Sequence, residues 1–161
     1  MSLDIERKIS YTWDQFNEYL LGIDDKKSIK VLTNGCFDIL HIGHIHLLSQ
    51  AKMRGDILIV GLNSDDSVRM LKGENRPYHT VTERAIILAS IEFVDHVVVF
   101  NQPTAIELIQ QCSPQVYIKG GDYTKDTLPE FELLNDKGIP VEFIEPIPHR
   151  STSRLLKKIK R

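Results

Sequence analysis

Apolar residues along this chain fall into two patterns. Short β-branched runs alternate with longer stretches in which apolar residues recur every three or four positions, as when strands alternate with amphipathic helices. A helix is predicted near Trp13 to Leu21 with Thr12 as its cap. Ile29, Val31 and Leu32 make a first strand ending at Thr33-Asn34-Gly35, and Ile45, Leu47, Leu48 and Ala51 follow at near-helical spacing up to Arg54-Gly55. Ile57 to Leu62 is apolar without a break, as in a strand covered on both faces. Asn63-Ser64-Asp65 then opens a short helix carrying Val68, Met70 and Leu71. Lys72 to His79 is polar, contains Gly73 and Pro77, and reads as a mobile loop. Thr80 with Glu83 three residues on has the spacing of a capping box, and Ala85 to Ile91 supply a buried helix face. Further strands are predicted at His96 to Phe100, Val116 to Ile118 and Val141 to Ile144. Helices are predicted at Thr104 to Gln111, at Pro129 to Leu134 before Gly138, and from Ser151 to the basic end of the chain, where the dipole favours cations.

Five strands separated by helices, with right-handed crossovers, predict an α/β fold: a Rossmann-like, doubly wound, five-stranded parallel sheet over residues 29–161. Residues 1–28 precede it as an N-terminal helical extension. The 161 residues suffice for one domain with a real core, and 42% hydrophobic with 26% charged residues is globular rather than disordered composition. Twenty basic against 22 acidic residues leave a net charge of −2, which removes any argument from a strongly basic surface and gives no reason to expect nucleic acid as a partner. No apolar run approaches the roughly 18 residues of a membrane span, and Met1 to Ser10 lacks the stretch of a secretion signal. Cys36 and Cys112 form no CxxC pair, so a reduced, cytoplasmic protein is the expectation.

Ligands of such sheets sit beyond the carboxyl ends of the strands. That singles out Gly35 to His44, Lys72 to Arg76, Lys119 to Asp122 and Arg150 to Ser153. In the first segment His41 and His44 are three apart and share a helical face. Gly43 lets a ligand approach the backbone, and free N–H groups at a helix start suit a phosphate. Two imidazoles beside that point can donate to phosphoryl oxygens as charge builds, each worth about 3 kcal/mol in a transition state. Zinc held by His41, His44 and His46 is an alternative, but the spacing is untidy and Cys36 is the only thiol nearby. His46, His79, His96 and His149 read as surface or satisfied residues. Cys36 has no evident base partner and is not read as a nucleophile.

The pattern Gly35-x-Phe37-Asp38-x-x-His41-x-Gly43-His44 resembles the nucleotidyltransferase superfamily that contains cytidylyltransferases, adenylyltransferases and class I aminoacyl-tRNA synthetases. Its six fixed residues match by chance about 10⁻⁸ of the time per start position. Lys72-Gly73 stands where that superfamily has a triphosphate-binding lysine, and Arg150-Ser151-Thr152-Ser153 where it has a Ser/Thr cluster opening the last helix. Thr33 to Asp38, Val60 to Asp65, Leu71-Lys72-Gly73, Arg76-Pro77, Val94-Asp95, Lys119-Gly120-Gly121-Asp122-Tyr123, and Ser151 to Ser153 with Leu155 to Lys158 are similar to the adenylyltransferases of ADP-heptose synthesis. The likeness spans about residues 29–159 and implies a nucleotidyltransferase domain over 29–161. Departures are Ser153, where threonine is usual, and the first 28 residues. In many bacteria this activity is fused to a sugar kinase, and this chain looks like the free-standing form.

The resemblance implies transfer of AMP from ATP to a sugar 1-phosphate such as D-glycero-β-D-manno-heptose 1-phosphate, with Mg²⁺ on the phosphates and pyrophosphate released. His41, His44 and Lys72 would be catalytic. Cys36, Phe37, Gly43, Asp122, Tyr123, Arg150, Ser151, Thr152 and Ser153 would bind the nucleotide. The partners implied are therefore small molecules, with a homodimer left open. A cytidylyltransferase acting on glycerol 3-phosphate is an alternative, although its usual Gly-Ile is missing after Arg150. A non-catalytic nucleotide-binding module is another, and the paired histidines with Lys72 count against it.

Overall fold

The unbroken apolar runs become the inner strands of one sheet, because helices cover both of its faces. The computed structural model describes residues 3–121 and 123–148. In chain order these form helix α1 (Leu3–Arg7), strand β1 (Ile9–Ser10), α2 (Trp13–Leu21), β2 (Lys30–Gly35), α3 (Ile42–Lys52), β3 (Ile57–Asn63), α4 (Asp65–Lys72) and α5 (Val81–Ala89). Then come β4 (His96–Phe100), α6 (Ile106–Cys112), β5 (Val116–Gly120), α7 (Phe131–Asp136) and β6 (Val141–Ile144). All strand pairs are parallel, in the order β1-β4-β3-β2-β5-β6. β2 and β3 run in register from Lys30↔Ile57 to Gly35↔Leu62, so both end beside the histidine segment.

The α/β, doubly wound reading holds, with six strands among the described residues in place of five. The sixth is β1, inside the stretch read as a helical extension. Two residues are too few to show a strand period. β1 forms because of distant partners: the Lys8 carbonyl accepts the Val97 N–H at 2.7 Å, and Ser10 Oγ bonds Nε2 of His96 at 2.8 Å. It thereby covers the edge of β4, which would otherwise present unpaired backbone groups.

Local signals set most helix starts. Thr12 with Gln15, and Thr80 with Glu83, form reciprocal capping boxes on α2 and α5. α6 begins at Ile106 rather than Thr104; its cap, Ala105, has no side-chain bond of its own, and Glu130 takes the Ala105 N–H instead. One face of the sheet buries Phe37, Leu48, Ala85 and Leu88, the side of α3 and α5. The other buries Phe16, Leu108, Ile109 and Leu134, the side of α2, α6 and α7. The helix predicted from Ser151 lies outside the described residues.

Candidate active site

The site begins where β2 ends. Phe37 takes φ 45°, a left-handed conformation uncommon outside glycine. Its ring turns inward, 5% exposed, and packs against His44 with centroids 5.2 Å apart. Gly35 leaves room beside it: a Cβ there would stand 3.2 Å from the Phe37 ring, close enough that the ring would have to shift by a few tenths of an ångström. The strained turn thus seats the aromatic support beneath one histidine.

His41 is the N-cap of α3, and its Nδ1 accepts the Gly43 N–H at 3.1 Å. His44 reaches back, its Nδ1 accepting the His41 N–H at 3.3 Å. The rings stack with centroids 3.9 Å apart. An imidazole that accepts at Nδ1 carries its proton on Nε2 when neutral. Burial pushes the His41 pKa down and that of His44 to about 4, with the charge of His41 adding to the latter. Both rings are therefore neutral Nε2–H donors near pH 7. Sequence reasoning placed free backbone N–H groups here; the structure differs, because the Gly43 N–H serves His41 and the His44 N–H bonds the His41 carbonyl at 2.9 Å. The imidazoles carry the donor function outward in their place.

Cys36 is half-buried, its Sγ 3.9 Å from Asn63 Oδ1. Burial pushes its thiol pKa up, and the strongest opposing charge is Lys72. Lys72 itself ends α4 and lines the same cleft as the motif. Gly73 stops α4 at φ 97°, a conformation only glycine adopts freely. The segment after it is a loop, as its composition suggests, and its far end is tied to the motif. Asp38, inside the motif, pairs with Arg76 at 2.8 Å and accepts the N–H groups of Tyr78 at 2.6 Å and His79 at 3.3 Å. Arg84 is 1% exposed and donates to the carbonyls of Cys36 at 2.6 Å, Asn63 at 2.8 Å and His79 at 3.0 Å. It also pairs with Asp65 at 2.7 Å. One guanidinium thus ties the ends of β2 and β3 to the loop.

These groups line a cleft of about 870 Å³ that brings together Cys36, Phe37, His41, Gly43, His44, Lys72 and Tyr123. Asp122, Arg150, Ser151, Thr152 and Ser153 lie outside the described residues. The cleft also holds residues that the sequence did not name as site residues, among them Asn34, Glu130 and Lys119, the last inside a segment it did single out. Lys119 Nζ donates to Asn34 Oδ1 at 2.8 Å and stands 4.8 Å from the Tyr123 ring centroid. Its place beside Gly120-Gly121 after a strand was a usable signal. Glu130 had none, since its partner Ala105 is remote in sequence. Among the described residues no group of three or more His, Cys, Asp or Glu side chains could hold a metal ion.

The family described as cytidylyltransferase-like matches residues 32–153. Bifunctional protein HldE of Citrifermentans bemidjiense is 48% identical over 129 residues, 80% of this chain and 26% of that protein. Bifunctional protein HldE of Campylobacter curvus is 44% identical over 157 residues, 98% of this chain and 32% of that protein. The chain thus spans about a quarter to a third of the length of the curated relatives it matches. Among solved structures, the lipopolysaccharide core biosynthesis protein from Thermoplasma volcanium superposes with a TM-score of 0.61 at 28% identity, covering 74% of this chain and 97% of its own. Pantoate-beta-alanine ligase from Francisella tularensis, at TM-score 0.62 and 19% identity over 90% of this chain and 68% of its own, shares the fold.

Proposed function

The chain belongs to the cytidylyltransferase-like family of nucleotidyltransferases, and from that premise we propose that it transfers AMP from ATP to a sugar 1-phosphate. The acceptor is D-glycero-β-D-manno-heptose 1-phosphate, and the products are pyrophosphate and an ADP-sugar. The observation that carries this reading is the mutual capping of His41 and His44, which leaves two neutral Nε2–H donors on one wall of a ligand-sized cleft. The Thermoplasma neighbour's role in lipopolysaccharide core biosynthesis supports a sugar phosphate as acceptor. The Lys119 to Tyr123 segment supports the heptose class.

In this reaction an oxygen of the sugar phosphate attacks the α-phosphorus in line. A P–O bond forms as the bond to the pyrophosphate oxygen breaks, so positioning and charge stabilisation supply the catalysis and no protein nucleophile is needed. His41 and His44 donate from Nε2 to the α- and β-phosphate oxygens. Lys72 meets the charge of the leaving pyrophosphate. Cys36, Phe37, Gly43 and Tyr123 line the nucleotide's path, with Asp122, Arg150, Ser151, Thr152 and Ser153 proposed on the ribose, base and triphosphate. Mg²⁺ would accompany the triphosphate and offset its charge, since a cation that keeps its waters needs few protein ligands. A reduced cytoplasmic setting belongs to the same proposal, with Cys36 and Cys112 both free thiols.

A cytidylyltransferase, acting for instance on glycerol 3-phosphate, is kept as a second reading because the matching family is described as cytidylyltransferase-like. Pyrophosphate release with heptose 1-phosphate and each nucleoside triphosphate separates the two. ATP is expected to exceed CTP at least about tenfold in kcat/KM, because a mismatched buried donor or acceptor costs ~1–3 kcal/mol and 1.4 kcal/mol is a decade. Equal or better turnover with CTP, or activity confined to glycerol 3-phosphate, refutes the adenylyltransferase reading.

A further inference from the structure

Glu130 is a cleft carboxylate that the transfer chemistry leaves unused. It is 2% exposed, and Oε1 accepts the Ala105 N–H at 2.7 Å. Oε2 is buried and has no hydrogen-bond partner among the described residues, and the residue lines the cleft. An acceptor at that depth without a donor is a standing cost unless a ligand brings one.

Its surroundings narrow what that ligand group is. Asn34 Oδ1 is already taken by the Tyr117 hydroxyl at 2.6 Å and by Lys119 Nζ at 2.8 Å. Lys119 keeps further N–H donors on its ammonium. No ion pair joins Lys119 and Glu130, yet burial pushes the Lys119 pKa down while the charge of Glu130 pulls it back, so the two groups sense one another. A hydroxyl donates and accepts at once and can bridge such a pair.

Apolar and polar cleft residues meet here: Ile144 pairs with Gly120, one residue beyond Lys119, and Leu47 packs beside Gly120. The recess of Asn34, Lys119 and Glu130 is polar. Tyr117 and Leu128, beside it, belong to the core on the α2, α6 and α7 side, whereas His41 and His44 open α3 on the opposite face. We infer that this recess is the acceptor subsite, with Glu130 Oε2 accepting from a sugar hydroxyl and Lys119 donating to it. The assignment rests on the sugar 1-phosphate reading above.

The test is steady-state pyrophosphate release by the full chain, varying heptose 1-phosphate at saturating ATP and then ATP at saturating sugar. Glu130→Gln keeps an oxygen for the Ala105 N–H and replaces the open acceptor with a donor. The expected result is a KM for the sugar phosphate raised about tenfold or more, with the KM for ATP within about twofold of wild type. Lys119→Gln is expected to act in the same direction and carries the test from the other wall if Glu130→Gln does not fold. A sugar KM unchanged in these variants overturns the inference while leaving adenylyl transfer standing. A raised KM for ATP alone assigns the recess to the base and overturns it too. Failure of the proposed function itself shows earlier, as no wild-type turnover with any sugar 1-phosphate, and takes the inference with it.

Discussion

The carboxylate of Asp38 lies 2.8 Å from the guanidinium of Arg76, and both side chains are withdrawn from solvent. The residue that leads into the histidine pair therefore also holds the loop that follows Lys72. The proposed donors and the loop that follows the proposed phosphate-binding lysine are thus joined by one contact.

Asp38→Ala is expected to destabilise the protein by about 3 kcal/mol, because removing one partner leaves a buried guanidinium uncompensated. It also strands the N–H groups of Tyr78 and His79 and should lower kcat/KM by tenfold or more through the freed Lys72 loop. Asp38→Asn retains an acceptor for those amides and should cost less. Urea unfolding alongside pyrophosphate release measures both; an alanine variant with wild-type stability and activity contradicts the clamp.

Cys36→Ser should retain most activity. The thiol sits within the motif, but burial pushes its pKa up, so it is protonated and poorly nucleophilic at neutral pH. Mass spectrometry during turnover is the check, and a nucleotidylated Cys36 peptide would overturn the direct-transfer scheme.

Stability should fall as pH falls from about 6.5 towards 4. Burial pushes the pKa of both His44 and His96 to about 4, whereas an unfolded histidine titrates near 6.5. Between those values the unfolded chain binds more protons than the folded one, so the folded state is favoured fully above that window and loses ground below it. His96→Gln should remove about one proton from the slope of unfolding free energy against pH. A denaturation midpoint that stays flat from pH 7 to 4.5 contradicts the neutral, buried assignment.

The strands that carry the site were legible because their apolar runs are continuous, as in Ile57 to Leu62, and because Thr12 and Thr80 announce their helices locally. β1 was not, since Ile9 and Ser10 are strand only through partners on β4. The histidine pair was legible from spacing, but its tautomers were not: they follow from which backbone N–H each ring accepts. Arg84 reads in sequence as a charge on a helix, yet three of its four oxygen partners come from other segments and it is buried among them. Glu130 escaped for the same reason, its one bond reaching Ala105 across 25 residues. Roles fixed by contacts between distant segments left no local pattern to read.

The central claim is that His41 and His44 are held as paired neutral donors to the transferring phosphates. Its most direct test is kcat for His44→Ala in pyrophosphate release, with ATP affinity measured on the same protein. Loss of a preorganised donor used mainly in the transition state predicts kcat lower by roughly 10²–10³, with ATP affinity within about threefold of wild type. A kcat within threefold of wild type contradicts the account.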